Sequence, residues 1–381
     1  MLICLTQSIV LFKAKYSHLK ENINHQYIMK KIVFFIPNGT GGAEKVSSIF
    51  AKILHKSNYL VKVIIVKPHQ DKRDNITSFI KDLPIDFLYC KKAIYSLPQI
   101  IKILKREKPD FVFSSLTNIS LLLIIASTLF PKIKVIARQC FTPGTESLIT
   151  ESIITFFFRF AHINIAQTEE MKELMIKKYY LPKKKVICIN NPIDEEDIRN
   201  KIQNVSPSTG VSYRYVAVGR VARQKDYLTM LKAFKIVNQQ FPDSTLTIIG
   251  SKNREEDYYN TIIKYIQENN LTNNIFFIEY TNNPFEIIQQ SDCFVLSSIT
   301  EGLPNVLLEA MFLNIPVVAT RCIPFIQQQI IEGVNGYTVN IEDHTMLAQS
   351  MIKGVSLKGT ISNKNYNEEI TKQIINLFKN I

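Results

Sequence analysis

Thirteen short apolar runs, rich in β-branched residues, alternate with segments of helical period, and this alternation constrains the fold more than any other feature. The first seven are "KIVFFIP" (31–37), "LVKVIIV" (60–66), "IDFLY" (85–89), "DFVFSS" (110–115), "KVIAR" (134–138), "INIAQ" (163–167) and "KVICI" (185–189). Between them, 43–56, 95–107 and 168–179 carry a helical period. Strands that are apolar throughout and separated by helices build parallel sheets covered on both faces. The stretch "NNPIDEEDIRNKIQNVSPSTG" (190–210) breaks the pattern with Pro, Ser, Gly and charge. It then restarts with "RYVAVG" (214–219), "TLTIIG" (245–250), "NIFFIE" (274–279), "DCFVLSS" (292–298), "IPVVAT" (315–320) and "GYTV" (336–339). The expected fold class is α/β, with two doubly wound domains facing each other across a cleft. Residues 29–192 form the first, 193–210 a linker, 211–365 the second, and 366–381 a C-terminal helix able to pack on either. Residues 1–28 precede a complete first strand and are expected to be a dispensable extension, so a chain beginning at Met29 should fold and stay active.

With 381 residues, 46% of them hydrophobic, the chain can fill two cores. Cys4, Cys90, Cys140, Cys188, Cys293 and Cys322 lie far apart with no C-x-x-C pair, as in a cytosolic protein with reduced thiols. The net charge of +13 is uneven: residues 1–190 hold 29 Lys and Arg against 13 Asp and Glu, the remainder 17 against 20. The basic half is either a solvated face or meets nucleic acid, an anionic membrane surface or a phosphorylated substrate. No basic motif interleaved with aromatics is present, which places nucleic acid last. "ISLLLIIASTLF" (119–130), ended by Pro131, is too short for a membrane span and fits a buried helix. The N-terminus lacks a basic n-region and a small-residue cleavage site.

Three stretches carry chemistry. "PNGTGGAEKV" (37–46) follows the first strand, and Gly39, Gly41 and Gly42 permit positive φ and close backbone approach before a helix starting near Ala43. Glu44 stands where a dinucleotide fingerprint needs its third glycine, and the second strand leads into Lys67 rather than an acid, so NAD binding is disfavoured. "VGRVARQKD" (218–226) places Arg220 and Lys225 just past a strand, where a guanidinium can grip phosphate oxygens and an ammonium act as a point charge. In "EGLPNVLLEAM" (301–311), Pro304 suits the first turn of a helix reaching about Leu313, whose free N–H groups near Asn305 and Val306 favour an anion. Glu309 lies on the Asn305 face, about 6 Å further along. A carboxylate there suits a ribose diol, and Glu301 on the preceding loop would sit nearer whatever the diphosphate carries.

These residues resemble the retaining glycosyltransferases of the GT-B fold marked by E-x7-E, glycosyltransferase family 4. "EGLPNVLLEAMFLNIPVVAT" (301–320) carries the E-x7-E, "VGRVARQKD" resembles the diphosphate-binding G-R-x4-K, "GGAEKV" the first glycine loop, and "INNPID" (189–194) the lead into the linker. The likeness spans roughly 29–355. It implies two Rossmann-like domains, the first binding acceptor and the second nucleotide sugar. It implies a donor site of Gly41, Gly42, Gly219, Arg220, Lys225, Gly302, Leu303, Asn305, Val306 and Glu309. Glu301, Arg220, Lys225 and Arg138 would be the catalytic residues. Two departures stand out. "ARQCFTP" (137–143) replaces a common histidine and is closer to the "SERN-P" of lipid-linked oligosaccharide transferases, and "RCIPFIQQQI" (321–330) replaces the usual turn after "VVAT".

The implied activity is transfer of a hexose or N-acetylhexosamine, with retention, from a UDP-sugar to a lipid-linked saccharide in cell-surface polysaccharide synthesis. The enzyme would sit at the inner face of the cytoplasmic membrane, with an anionic membrane surface as partner and no nucleic acid. The aromatics Phe156, Phe157, Phe158 and Phe160 with Arg159 would enter that interface, or else form a core helix. No D-x-D occurs, so no metal and no cofactor are expected beyond the nucleotide-sugar co-substrate. A sugar-nucleotide epimerase or hydrolase, or a catalytically silent glycan-binding subunit, would share the frame.

Overall fold

The computed structural model describes residues 29–381 apart from 40, 69–75, 92, 141–142, 144–146, 205–211, 252–254, 280 and 359–365. The N-terminal extension at 1–28 therefore lies outside the described residues. The first domain contains β1 (Lys31–Pro37), α1 (Gly42–Lys56), β2 (Leu60–Pro68), β3 (Ile85–Cys90), α2 (Leu97–Glu107), β4 (Phe111–Ser114) and α3 (Thr117–Ser127). It continues with β5 (Lys134–Arg138), α4 (Leu148–Phe157), β6 (Ile163–Ala166), α5 (Glu169–Lys178) and β7 (Val186–Cys188). After α6 (Glu195–Ile202) the second domain holds β8 (Arg214–Val218), α7 (Tyr227–Gln240), β9 (Thr245–Ile249), α8 (Glu256–Glu268), β10 (Ile275–Ile278), α9 (Pro284–Gln290) and β11 (Cys293–Leu296). It closes with α10 (Asn305–Phe312), β12 (Val317–Thr320), α11 (Pro324–Gln329), β13 (Gly336–Val339) and α12 (His344–Val355), and α13 (Tyr366–Asn380) follows.

Both sheets are parallel, as the two-sided apolar strands require. The orders are β3-β2-β1-β4-β5-β6-β7 and β10-β9-β8-β11-β12-β13. Strand β1 shows the cause: Val33 and Phe35 point into one core with α2 and α3, while Ile32, Phe34 and Ile36 point into the other with α1. Each sheet reverses its order beside its first strand, at β1/β4 and at β8/β11. Such a switch point opens a crevice beyond the carboxyl ends of the strands, between loops that diverge to opposite faces. The loops after β8 and β11 carry 219–226 and 297–304, so the second sheet brings Arg220, Lys225 and Glu301 together by topology alone.

Two segments differ from the sequence reading. The stretch 193–210 is not plain linker: α6 forms within it, capped by Asp194, which accepts from Asp197 N at 3.2 Å. Ile198 seats α6 in the core of the second domain, and too few apolar residues surround it to show a period. Helix α13 returns to the first domain, where Ile370, Ile374, Leu377 and Phe378 complete the core shared by α1 and β1. Phe378 meets Phe111 edge-on at 5.3 Å. Lys30 Nζ donates to Phe378 O at 3.2 Å and Lys134 Nζ to Ile381 O at 2.8 Å, matching cations to a helix C-terminus. The chain thus crosses between domains twice. The crossings clasp each other: Asn367 Nδ2 donates to Ile193 O at 2.6 Å, and Ile193 N to Asn367 Oδ1 at 3.0 Å.

Candidate active site

A cavity of about 670 Å³ lies between the facing carboxyl edges of the two sheets. All of the sequence-selected residues line it: Gly41, Gly42, Arg138, Gly219, Arg220, Lys225, Glu301, Gly302, Leu303, Asn305, Val306 and Glu309.

Its second-domain wall is built on α10. Pro304 is the N-cap residue and makes no side-chain cap bond, so the amide end of the helix faces the cavity without a capping oxygen. One turn on, Glu309 is 9% exposed, and its carboxylate has no hydrogen-bond or ion-pair partner among the described residues. Burial raises its pKa above the ordinary glutamate value, while the charge of Lys45, from the first domain, pulls it back. A buried carboxylate is costly unless something hydrogen-bonds it.

The loops at the switch point are zipped to each other. Ser297 Oγ donates to Lys225 O at 2.8 Å, and Ile299 N to Gln224 O at 2.8 Å. Lys225 Nζ donates to Glu301 Oε1 at 2.5 Å, and Ser298 Oγ donates to the same oxygen at 2.6 Å. Arg220 is exposed on the cavity wall and has no hydrogen bond or ion pair among the described residues. Lysine and glutamate are therefore coupled and the arginine is open to an anion.

The first-domain wall corrects one expectation. The glycines before α1 do not use positive φ: Gly41 sits at φ −72°, and Gly333 is the glycine among the described residues that lies in the left-handed region. They provide space. A Cβ on Gly41 would lie 2.6 Å from Glu44 Oε2, and one on Gly39 2.8 Å from Glu44 Oε1. The Glu44 carboxylate thus folds over the loop, its pKa raised by burial. Gly42 lets the domains approach, since its Cβ would stand 3.2 Å from Asn305 Nδ2.

Arg138 is 1% exposed. Its guanidinium donates to Asn191 Oδ1 and, at 3.2 Å, to Cys140 Sγ. Asn191 Nδ2 in turn donates to Asn305 Oδ1 at 2.5 Å. A relay therefore runs from β5 through the domain crossing to the start of α10. Asn191, Gln167 and Lys45 also line the cavity, and the motif reading did not select them. Asn191 stands inside "INNPID", so its stretch was visible while its contacts were not. Among the described residues, no group of three or more His, Cys, Asp or Glu is placed to hold a metal ion.

Comparison with known proteins agrees with this geometry. The family model "Glycosyltransferase Family 4" matches residues 40–197, and "Glycosyl transferases group 1" matches 198–373. An uncharacterized glycosyltransferase of Methanocaldococcus jannaschii is 28% identical over 66% of this chain and 65% of its own, so the chain spans just under two thirds of that relative. The N-acetylgalactosamine-N,N'-diacetylbacillosaminyl-diphospho-undecaprenol 4-alpha-N-acetylgalactosaminyltransferase of Campylobacter jejuni is 23% identical over 88% of this chain and 94% of its own. Among solved structures, Anabaena HepE in complex with UDP and glucose superposes with a TM-score of 0.74 at 17% identity, covering 92% of this chain and 100% of that one. With two adjoining family matches over 40–373, two facing parallel sheets and an E-x7-E helix in the cleft between them, the chain belongs to the GT-B glycosyltransferases of family 4.

Proposed function

We propose that the protein transfers a hexose or N-acetylhexosamine from a UDP-sugar to a lipid-linked saccharide, with retention at the anomeric carbon, in the synthesis of a cell-surface polysaccharide. Its place is the inner face of the cytoplasmic membrane. The observation that carries the reading is Glu309, a buried carboxylate one turn beyond an uncapped helix end, in a cavity that Arg220 also lines; among the described residues neither side chain has a hydrogen-bond or ion-pair partner. A nucleoside diphosphate satisfies all three. Its ribose diol donates to Glu309, its diphosphate meets the α10 amides and Arg220, and Lys225 adds charge at the leaving oxygen. The bound UDP of the Anabaena structure supports the nucleotide, and the diphospho-undecaprenol acceptor of the Campylobacter relative supports the acceptor class.

In the reaction the bond from C1 to the β-phosphate oxygen breaks, and the acceptor hydroxyl bonds C1 on the same face. Its proton passes to the departing phosphate. Arg220, Lys225 and the helix end stabilise the charge that develops there. Glu301 holds Lys225 and faces the sugar. Arg138 acts by positioning Asn191, and through it Asn305, rather than by touching the donor.

The test combines UDP calorimetry with transfer from a panel of UDP-sugars to lipid-linked acceptors. Glu309→Gln is expected to lose about 1–3 kcal/mol of UDP affinity. Glu301→Gln should lower turnover with UDP binding nearly unchanged, and Arg220→Ala should lower both. Turnover should survive EDTA, because side-chain cations and amides supply the counter-charge. Parent-like binding and transfer in both glutamate variants would remove the basis for the proposal, and donor loss without acceptor would favour a hydrolase.

A further inference from the structure

Helix α4 and the turn after it are apolar on two opposite sides. Ile154 and Phe158 enter the first-domain core, as an amphipathic helix requires. Ile149, Ile153, Phe156 and Phe160 lie on the other side, between 40% and 74% exposed. On α4 the spacing of four and three residues at about 100° per residue aligns Ile149, Ile153 and Phe156 in one stripe, and Phe160 in the following turn extends it, its ring 5.7 Å from that of Phe156. Single exposed apolar residues need no explanation, but an aligned stripe marks a contact surface.

The stripe has company. Helix α3 contacts both α4 and the turn Ala93–Ser96. That turn exposes Ile94 and Tyr95, both about two-thirds open to solvent. Charge borders the stripe. Arg159 stacks its guanidinium over Phe156 at 5.8 Å. Lys185 is held beside it, donating to Arg159 O at 2.8 Å, and Lys178 donates to Pro143 O just before α4. Lys183 and Lys184 are exposed next to Lys185.

We propose that this face of the first domain docks on an anionic lipid bilayer, with the stripe entering the interface and the cations meeting lipid phosphates. An apolar stripe framed by cations matches a negatively charged bilayer better than a second copy of this chain, whose identical face would bring like charges together. The topology gives the contact a use, resting on the transferase reading. Ile94 and Tyr95 come after the carboxyl end of β3, and Ile149 opens α4, the helix after β5, so the start of the stripe lies toward the carboxyl edge of the first sheet, the edge at which the cleft opens. A lipid-linked saccharide anchored in the docked membrane would present its sugar at the cavity mouth.

The experiment is flotation of the full chain with phosphatidylcholine vesicles, with and without phosphatidylglycerol, alongside UDP calorimetry. The parent should bind the anionic vesicles and lose them as salt is raised. Ile149→Ser with Phe156→Ser, and separately Arg159→Glu with Lys184→Glu, should each lower vesicle affinity about tenfold or more. UDP affinity and thermal midpoint should stay at the parent's values, which separates docking from folding. Failure of UDP binding in the parent would strike the donor reading and leave the docking result to stand alone. Parent-like vesicle binding in both pairs, no binding by the parent, equal binding to neutral vesicles, or a parent dimer that the serine pair dissolves would each overturn the proposal.

Discussion

Glu309 concentrates the chemistry of this protein at the scale of one residue. A carboxylate in an apolar setting prefers its proton, and burial raises its pKa against the opposing pull of Lys45. The sign of the resulting pH dependence follows. Protonation removes the charged acceptor for the ribose, and at Glu309 it occurs at higher pH than at an exposed glutamate. Affinity for a UDP-sugar should therefore be full above the raised pKa and fall as pH is lowered through it, while Glu309→Gln should show a flattened profile. A UDP-sugar suits this calorimetric titration better than free UDP, whose terminal phosphate takes up a proton of its own as pH is lowered from neutral. A profile for the parent as flat as that of the variant would show that Glu309 does not bind in its charged form. Lys225 and Glu301 pose the opposite case: each already holds the other, so the incoming diphosphate shares a lysine that is fixed in place.

At the scale of elements, the strands were legible because their signal is local. Runs such as "VVAT" are apolar and β-branched whatever surrounds them, and all thirteen appear as strands in the two sheets. The α4 aromatics were ambiguous because composition cannot say which side of a helix faces a core; Phe158 went in while Phe156 and Phe160 stayed out. The relay from Arg138 through Asn191 to Asn305 was hidden for another reason: it joins residues 53 and 114 positions apart, across two domains. The glycine loop misled: its glycines do not take positive φ, and a Cβ at Gly39 or Gly41 would meet only the movable tip of the Glu44 side chain. Gly250 is the counterpart that motif reading passed over. A Cβ there would stand 1.8 Å from Gly219 O, so the ends of β8 and β9 can lie side by side only without it. Gly250→Ala should cost about 1–3 kcal/mol of stability and, by pushing the Arg220 loop aside, weaken UDP binding as well. Denaturant titration with calorimetry checks both; a stable variant with parent-like UDP affinity would show that the loop is not braced at this point.

For the whole molecule, the C-terminal helix is the element that makes the domains interdependent. Phe378 is fully buried between Phe111 and Tyr59, at ring distances of 5.3 and 6.2 Å. Phe378→Ala should cost about 3–5 kcal/mol, and the loss should appear in unfolding of the first domain. Urea unfolding followed by hydrogen exchange in β1 and β4 would locate it; protection lost in β8 and β11 instead would contradict the packing. The same helix sets an order in time. On the ribosome the first domain emerges early, yet the face of its sheet that α1 covers only in part lacks the rest of its cover until residues 366–380 have been made. The part of the protein synthesised first is the last to be finished, and its exposed apolar face must wait, open to chaperones or misassembly, while the whole second domain is translated.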